Sequence, residues 1–288
     1  MPKQKHHSCF IAQQVNALAF SAMGFICLRR CYYRLFSALL VSIFLAACAT
    51  GSPNLSQPKA TSKAEARTND GAMIHTKLAK EYMRKNQFAT AKIELEEALR
   101  INPKHSHTNY VMALWMMQFE EYPKAELYFE RSIKSDPENS SAAHDFGVFL
   151  CQTGKERKSI KYFEIAVSNP LFDSSELSYM RAGECLANIN DGAAEGYLKK
   201  ALAINPRLRP ALFRLAVIKQ NEQQHLSARA YVERYFAITE PQPHSLLLAY
   251  QIESSMNAED EASSYKKMLL NRFPSSEQAR SLRGTGRL

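Results

Sequence analysis

The sequence predicts an all-α solenoid made of helical hairpins stacked in a row, and three observations carry that reading. The stretch A-K-I-E-L-E-E-A-L-R-I-N-P, from Ala91 to Pro103, returns in altered form five more times. Its lead residues, Ala91, Ala125, Ser159, Ala194, Ala228 and Ala262, are spaced 34, 34, 35, 34 and 34 apart. Twelve residues before each lead stands a second small residue: Ala79, Ala113, Gly147, Ala182 and Ala216, with Tyr250 the exception in the sixth unit.

A period of this length is the mark of tetratricopeptide repeats, each a helix A, a turn and a helix B. The two small sites let helices A and B approach closely. Leu95, Phe129, Phe163, Leu198 and Val232 then fill the space around them. Tyr128, Tyr162, Tyr197, Tyr231 and Tyr265 stand just before that larger site, and a proline near each repeat end stops helix B. Six repeats follow: 72–105, 106–139, 140–173, 175–208, 209–242 and 243–276, wound as a right-handed superhelix, with 277–288 as a C-terminal tail. In the sixth, Tyr250 replaces a small residue and Lys266 an apolar one, which marks a capping or frayed unit. The step of 35 falls at Asn169-Pro170-Leu171-Phe172-Asp173-Ser174, where one added residue should alter the angle between repeats 3 and 4.

Ahead of the repeats, Arg29, Arg30 and Arg34 flank an apolar run of eleven residues, Leu35 to Leu45. The run is too short to span a bilayer comfortably and fits a secretory signal over residues 1–47. Met23 is an alternative start. Leu45-Ala46-Ala47-Cys48 resembles the bacterial lipobox, which implies cleavage before Cys48 and a covalent diacylglycerol or acyl lipid on it. An ordinary signal or a short membrane anchor is the alternative. No aspartate follows the cysteine, and by resemblance to sorted lipoproteins this favours the outer membrane. Residues 48–71 are rich in Ser, Pro, Thr and Lys and read as a flexible tether with a reach of roughly 25 Å. The net charge of +9 is mostly a property of the signal, since residues 1–47 hold five bases and no acid. The remainder carries 32 bases and 28 acids, a balance that does not point to nucleic acid.

Of six cysteines, only Cys151 and Cys185 fall in the repeats. They occupy helix A of repeats 3 and 4, and neighbouring A helices pack closely enough for their Cα atoms to meet the disulfide limit of about 7 Å. A disulfide is expected, with two buried free thiols as the alternative. Two ligands make a poor zinc site, and no metal or cofactor is expected besides the lipid. No phosphate loop, G-x-S-x-G or H-E-x-x-H is present, so the protein is expected to act by presenting a surface and not as an enzyme. The expected surface is a groove lined by helix A: Tyr110, His144, Tyr179 and Phe213 at the fifth residue of their repeats, Leu114, Val148 and Val217 at the ninth, and Met117 at the twelfth. The alternative is that much of this stripe packs against the neighbouring repeat. Lys80 and Arg84 alone sit where a carboxylate clamp would need cations.

Phe146-Gly147-Val148-Phe149-Leu150-Cys151-Gln152-Thr153-Gly154, Asn169-Pro170-Leu171-Phe172 and Ala182-Gly183-Glu184-Cys185 together resemble the PilF/PilW family of type IV pilus biogenesis lipoproteins, the secretin pilotins. The resemblance runs over about residues 45–280. It implies an outer-membrane lipoprotein on the periplasmic face that binds type IV pilus secretin subunits and promotes their localisation and multimerisation. A lipoprotein scaffold for peptidoglycan hydrolases or outer-membrane protein assembly is the alternative.

Overall fold

The computed structural model describes residues 63–284. The signal over 1–47, the lipidation site Cys48 and the first part of the tether lie outside the described residues. Among those described, the secondary structure is entirely helical. Six antiparallel hairpins follow one another: α1 (Lys63–Arg84) with α2 (Phe88–Ile101), α3 (Ser106–Gln118) with α4 (Tyr122–Ser135), α5 (Ser140–Gln152) with α6 (Glu156–Ser168), α7 (Ser175–Asn188) with α8 (Ala194–Ile204), α9 (Arg209–Asn221) with α10 (His225–Phe236), and α11 (Pro243–Ser255) with α12 (Glu259–Arg272). A last helix, α13 (Glu277–Gly284), closes the array. Each hairpin packs on the next, the stacking that defines a tetratricopeptide solenoid.

Local sequence sets the helix starts. The His105 and Asn139 side chains accept from the backbone N–H of Thr108 and Ala142 at the heads of α3 and α5. Pro123, Pro210 and Pro243 sit in the first turns of α4, α9 and α11, where a missing N–H costs nothing. Every A–B turn passes through one left-handed residue: Asn86, Glu120, Gly154, Asn190, Gln223 and Asn257.

The core lies between the two helices of each hairpin. Ala79, Ala113, Ala216, Ala91, Ala125 and Ala228 are fully buried, and Leu95, Phe129 and Leu198 fill the space beneath them. At repeats 3 and 4 only glycine fits. A Cβ on Gly147 would stand 2.8 Å from the Phe163 ring, and one on Gly183 would stand 2.6 Å from Leu198 and 3.0 Å from the Ala194 carbonyl oxygen.

Three features differ from the sequence reading. The expected tether through residue 71 is already helix from Lys63. The stretch Ala64-Glu65-Ala66-Arg67 is made of good helix formers, and Asn69 accepts a 2.6 Å bond from the Asn102 amide. The expected tail is helical over 277–284, and buries Ala279 and Leu282 against Leu246 and Leu269. Its polar composition hides two apolar contacts three residues apart. Repeat 4 is also re-registered. The left-handed residue precedes the lead small residue by five positions in five repeats but by four in repeat 4, where Asn190 precedes Ala194. From Gly154 to Asn190 is 36 residues, so the loop before α7 gains two residues and the following turn loses one. Gly183, not Ala182, is therefore the partner of Gly147.

Cys151 on α5 and Cys185 on α7 form a disulfide with Cα atoms 5.8 Å apart, across this irregular joint. The solenoid ends are unlike. α13 covers the last hairpin, whereas Ile74 and Leu78 on α1 are 59% and 42% exposed, at positions where later repeats bury Thr108, Met112, Ala142 and Phe146.

Two expectations follow for stability. Gly183→Ala gains about 1 kcal/mol of helix propensity, but overpacking against Leu198 and the Ala194 carbonyl costs about 1–3 kcal/mol. A net lowering of the urea midpoint is expected, whereas Gly192→Ala, with open space around its Cα, should leave it unchanged. Reducing the Cys151–Cys185 bond opens a 34-residue loop, and the chain-entropy relation gives a loss of about 3–4 kcal/mol, readable as a lower midpoint in dithiothreitol.

Candidate partner-binding surface

The fifth residue of each repeat does not stand free in a groove. In repeats 1, 2, 3 and 5 its side chain leans onto helix A of the next repeat. Thr76 meets Thr108 at 2.6 Å, both buried. Tyr110 donates a 2.6 Å bond to Asp145. His144 Nδ1 lies 2.7 Å from the Ser178 hydroxyl, and its ring packs between Phe163 and Phe172. The Phe213 ring stands edge-on to His244 at 4.8 Å. Tyr110 is only 9% exposed and belongs to the core. Burial, with the Asp145 charge and hydrogen bond beside it, pushes its hydroxyl well above the usual tyrosine range. These residues are joints between repeats, because a long side chain at that position reaches the adjacent A helix before it reaches solvent.

Tyr179 departs furthest from the expected groove. The re-registered repeat 4 turns it toward α8, where its ring meets Tyr197 at 6.4 Å and Lys200 at 5.5 Å. Met180, which is buried, takes the place that Tyr179 was expected to hold. Leu114, Met117, Val148 and Val217 are half-buried, as are His144, Tyr179 and Phe213, but these four aliphatic side chains are not tied to a neighbour by a hydrogen bond or ring contact. Leu114 and Met117 pack on the core of the first three repeats and Val217 on that of repeats 5 and 6, each keeping part of its surface available. They are the remaining candidates for partner contact from the expected stripe.

Three further features emerge only in three dimensions. A cleft of about 670 Å³ lies where α3 and α5 begin, lined by Met73, Lys104, His105, His107, Asn139 and Phe172 among others. At the A–B turns, Trp115 donates its indole N–H to the Phe88 carbonyl at 3.0 Å and meets the Phe119 ring at 4.5 Å, tilted by 37°. Phe119 and Tyr122 there are nearly half exposed. A second cleft, of about 450 Å³, opens between the α7–α8 turn and α9, with Arg214, Val217 and Ile218 on one wall and Asn188, Asp191 and Glu195 on the other. Beside it the nearly buried Lys219 is held by Glu195 at 2.7 Å and Glu222 at 2.8 Å. Burial alone would lower the Lys219 pKa, but these carboxylates outweigh it and hold the ammonium above its ordinary range. Among the described residues no three His, Cys, Asp or Glu side chains converge on a metal site, and no helix is long and apolar enough to cross a membrane.

With this geometry in view, the chain can be set beside known proteins. The tetratricopeptide repeat model matches residues 74–105, essentially the first hairpin. No curated protein matches the sequence. Among solved structures, one described as PilW, a widely conserved type IV pilus biogenesis factor, is 29% identical, covers 73% of this chain and 97% of its own, and superposes with a TM-score of 0.61. PilF of Pseudomonas aeruginosa is 20% identical over 76% of this chain and 99% of its own, with a TM-score of 0.63. YrrB, described as a tetratricopeptide protein with an unusual peptide-binding site, is 18% identical over 70% and 98%, with a TM-score of 0.52. The last two likenesses speak to the fold alone. The chain is thus a tetratricopeptide solenoid, a fold that typically serves as a protein-interaction module, and it resembles type IV pilus biogenesis factors.

Histidines give the array a defined acid response. Burial is the main cause lowering His107, to about 4, with Lys80, His105 and Lys77 adding to it. His105 and His144 are also lowered, chiefly by burial. A histidine kept neutral in the fold binds protons more readily when unfolded, so its contribution is present above the ordinary value of 6.5 and is lost as pH falls from there toward 4. Urea midpoints should therefore drop across that window, and His107→Gln should flatten part of the slope.

Proposed function

We propose that this protein is a lipid-anchored scaffold that binds secretin subunits of a type IV pilus machine and promotes their outer-membrane localisation and multimerisation. The observation that carries the reading is the 29% identity to PilW across 73% of this chain. Supporting it are the Leu45-Ala46-Ala47-Cys48 sequence and the positively flanked apolar run ahead of it. In this reading an acyl chain on Cys48 confines the solenoid to the periplasmic face of the outer membrane. The segment between Cys48 and α1 lets the repeats hold a client near the bilayer, where tethering raises its effective concentration. No bond is made or broken in the client. The half-buried apolar residues Leu114, Met117, Val148 and Val217 supply contact area, and the Tyr110–Asp145 and His144–Ser178 joints keep the A helices in register behind them.

Deleting the gene should remove heat-resistant secretin multimers from outer-membrane fractions. The wild-type gene should restore them, and neither Cys48→Ser nor the pair Val148→Glu with Val217→Glu should do so. Normal multimers in the deletion strain would overturn the proposal.

A further inference from the structure

Arg214 stands out when the charges around the α9 cleft are paired off. Three acids line that cleft, and each is already held by a cation: Asp191 by Arg157 at 3.3 Å, Glu195 by Lys199 and Lys219 at 2.7 Å each, and Glu222 by Lys219 at 2.8 Å. The hydrogen bonds from Lys199 and then Lys219 hold the Glu195 carboxyl below the usual carboxylate range, so it stays ionised and committed to them. The residues at the equivalent place in the two preceding repeats are committed as well. Asp145 accepts from Tyr110, and Arg181 pairs with Glu184 at 3.0 Å. Arg214 alone of this set, half-buried in the cleft wall, makes no hydrogen bond or ion pair with any described residue.

We propose that this cleft binds a segment of a partner protein running through it and that Arg214 receives an aspartate or glutamate side chain of that segment. A guanidinium offers two parallel N–H donors to one carboxylate, which makes the contact geometrically selective as well as charged. Val217, Ile218 and Ala187 give the cleft an apolar wall for the residues flanking the acid, while Asn188 and Asn221 present amides able to meet the partner's backbone. A volume of about 450 Å³ accommodates two or three residues and not a folded element. Because one cation is free, one negative charge is matched. An apolar segment with a single acid fits, whereas a polyacidic one would meet Asp191, Glu195 and Glu222. The inference rests on the reading of the protein as a partner-binding scaffold and supplies the chemistry of the bound segment.

The test is an array of end-blocked octapeptides of randomised sequence, probed with the full-length protein in detergent. The wild type should select peptides with one Asp or Glu among apolar residues and bind them roughly tenfold to hundredfold better than their Asn or Gln counterparts, the range expected for a charged hydrogen bond. Arg214→Gln should abolish that preference. Arg214→Lys should keep only part of it, because the charge remains and the fork does not. Asn221→Asp, at an exposed site, should also lose the acidic preference with the melting temperature unchanged, which separates lost recognition from lost folding. An acidic preference that survives in Arg214→Gln overturns the assignment, as does selection with no acidic preference at all. Selection that appears only when the peptide C-terminus is left unblocked moves the source to a chain end and overturns the side-chain assignment. A wild type that binds no peptide overturns this inference and leaves the scaffold reading to the gene deletion. Loss of secretin multimers on gene deletion, with no acidic preference on the array, would leave the scaffold reading standing and this inference refuted.

Discussion

Everything in this molecule depends on how closely helix A can approach helix B. The approach is set where a small residue on A faces a small residue on B: Ala79 and Ala91, Ala113 and Ala125, Gly147 and Ser159, Gly183 and Ala194, Ala216 and Ala228. Four residues further along B, a large apolar side chain fills the wedge that opens below the contact. Each hairpin is then rigid enough to serve as a flat unit for stacking, and the solenoid becomes a sum of hairpins and their joints. The sixth unit shows what happens when the pairing fails. Tyr250 and Lys266 deprive it of the usual filling, and α13 compensates by folding Ala279 and Leu282 onto Leu246 and Leu269.

That constraint also explains what could be read from the sequence. Small residues at one fixed place in six repeats and at a second in five leave a strong periodic trace, so the all-α hairpin architecture was legible, and most of the core with it. Register within repeat 4 was not. A period reports only the net length change, and two residues gained before α7 with one lost after it look like a single insertion. The expected groove was misread for a related reason. Spacing along a helix tells which residues share a face, but not whether a side chain as long as Tyr110 or His144 reaches the adjacent helix first. Arg214 left no trace at all. Its distinction is the absence of a partner among the described residues, and that follows from where Arg157, Lys199 and Lys219 are directed.

The joints between repeats are unusually polar at the N-terminal end. Thr76 with Thr108, Tyr110 with Asp145 and His144 with Ser178 are directional contacts, inside an interface that apolar packing alone would leave free to slide. Buried polar pairs of this kind cost more when mismatched than when satisfied, so they select one stacking angle over its neighbours. Further along, Phe213 against His244 is a ring contact, and the buried Glu253 is paired with Arg229. The surface offered to a partner is therefore a fixed relief of half-buried apolar residues rather than a pliable trough. Specificity in such a surface has to come from isolated features such as the α9 cleft and the Trp115–Phe119 edge.

The sulfur bridge across the irregular joint has a mechanical consequence. Cys151 and Cys185 close a covalent ring that contains α6, the long loop and most of α7. When the protein is pulled from its two ends, tension passes from one cysteine to the other through the bridge, and the ringed segment carries none of the load. A stretch that would otherwise pay out on the order of 110 Å of slack is removed from the force path, so the middle of the array should yield last under traction.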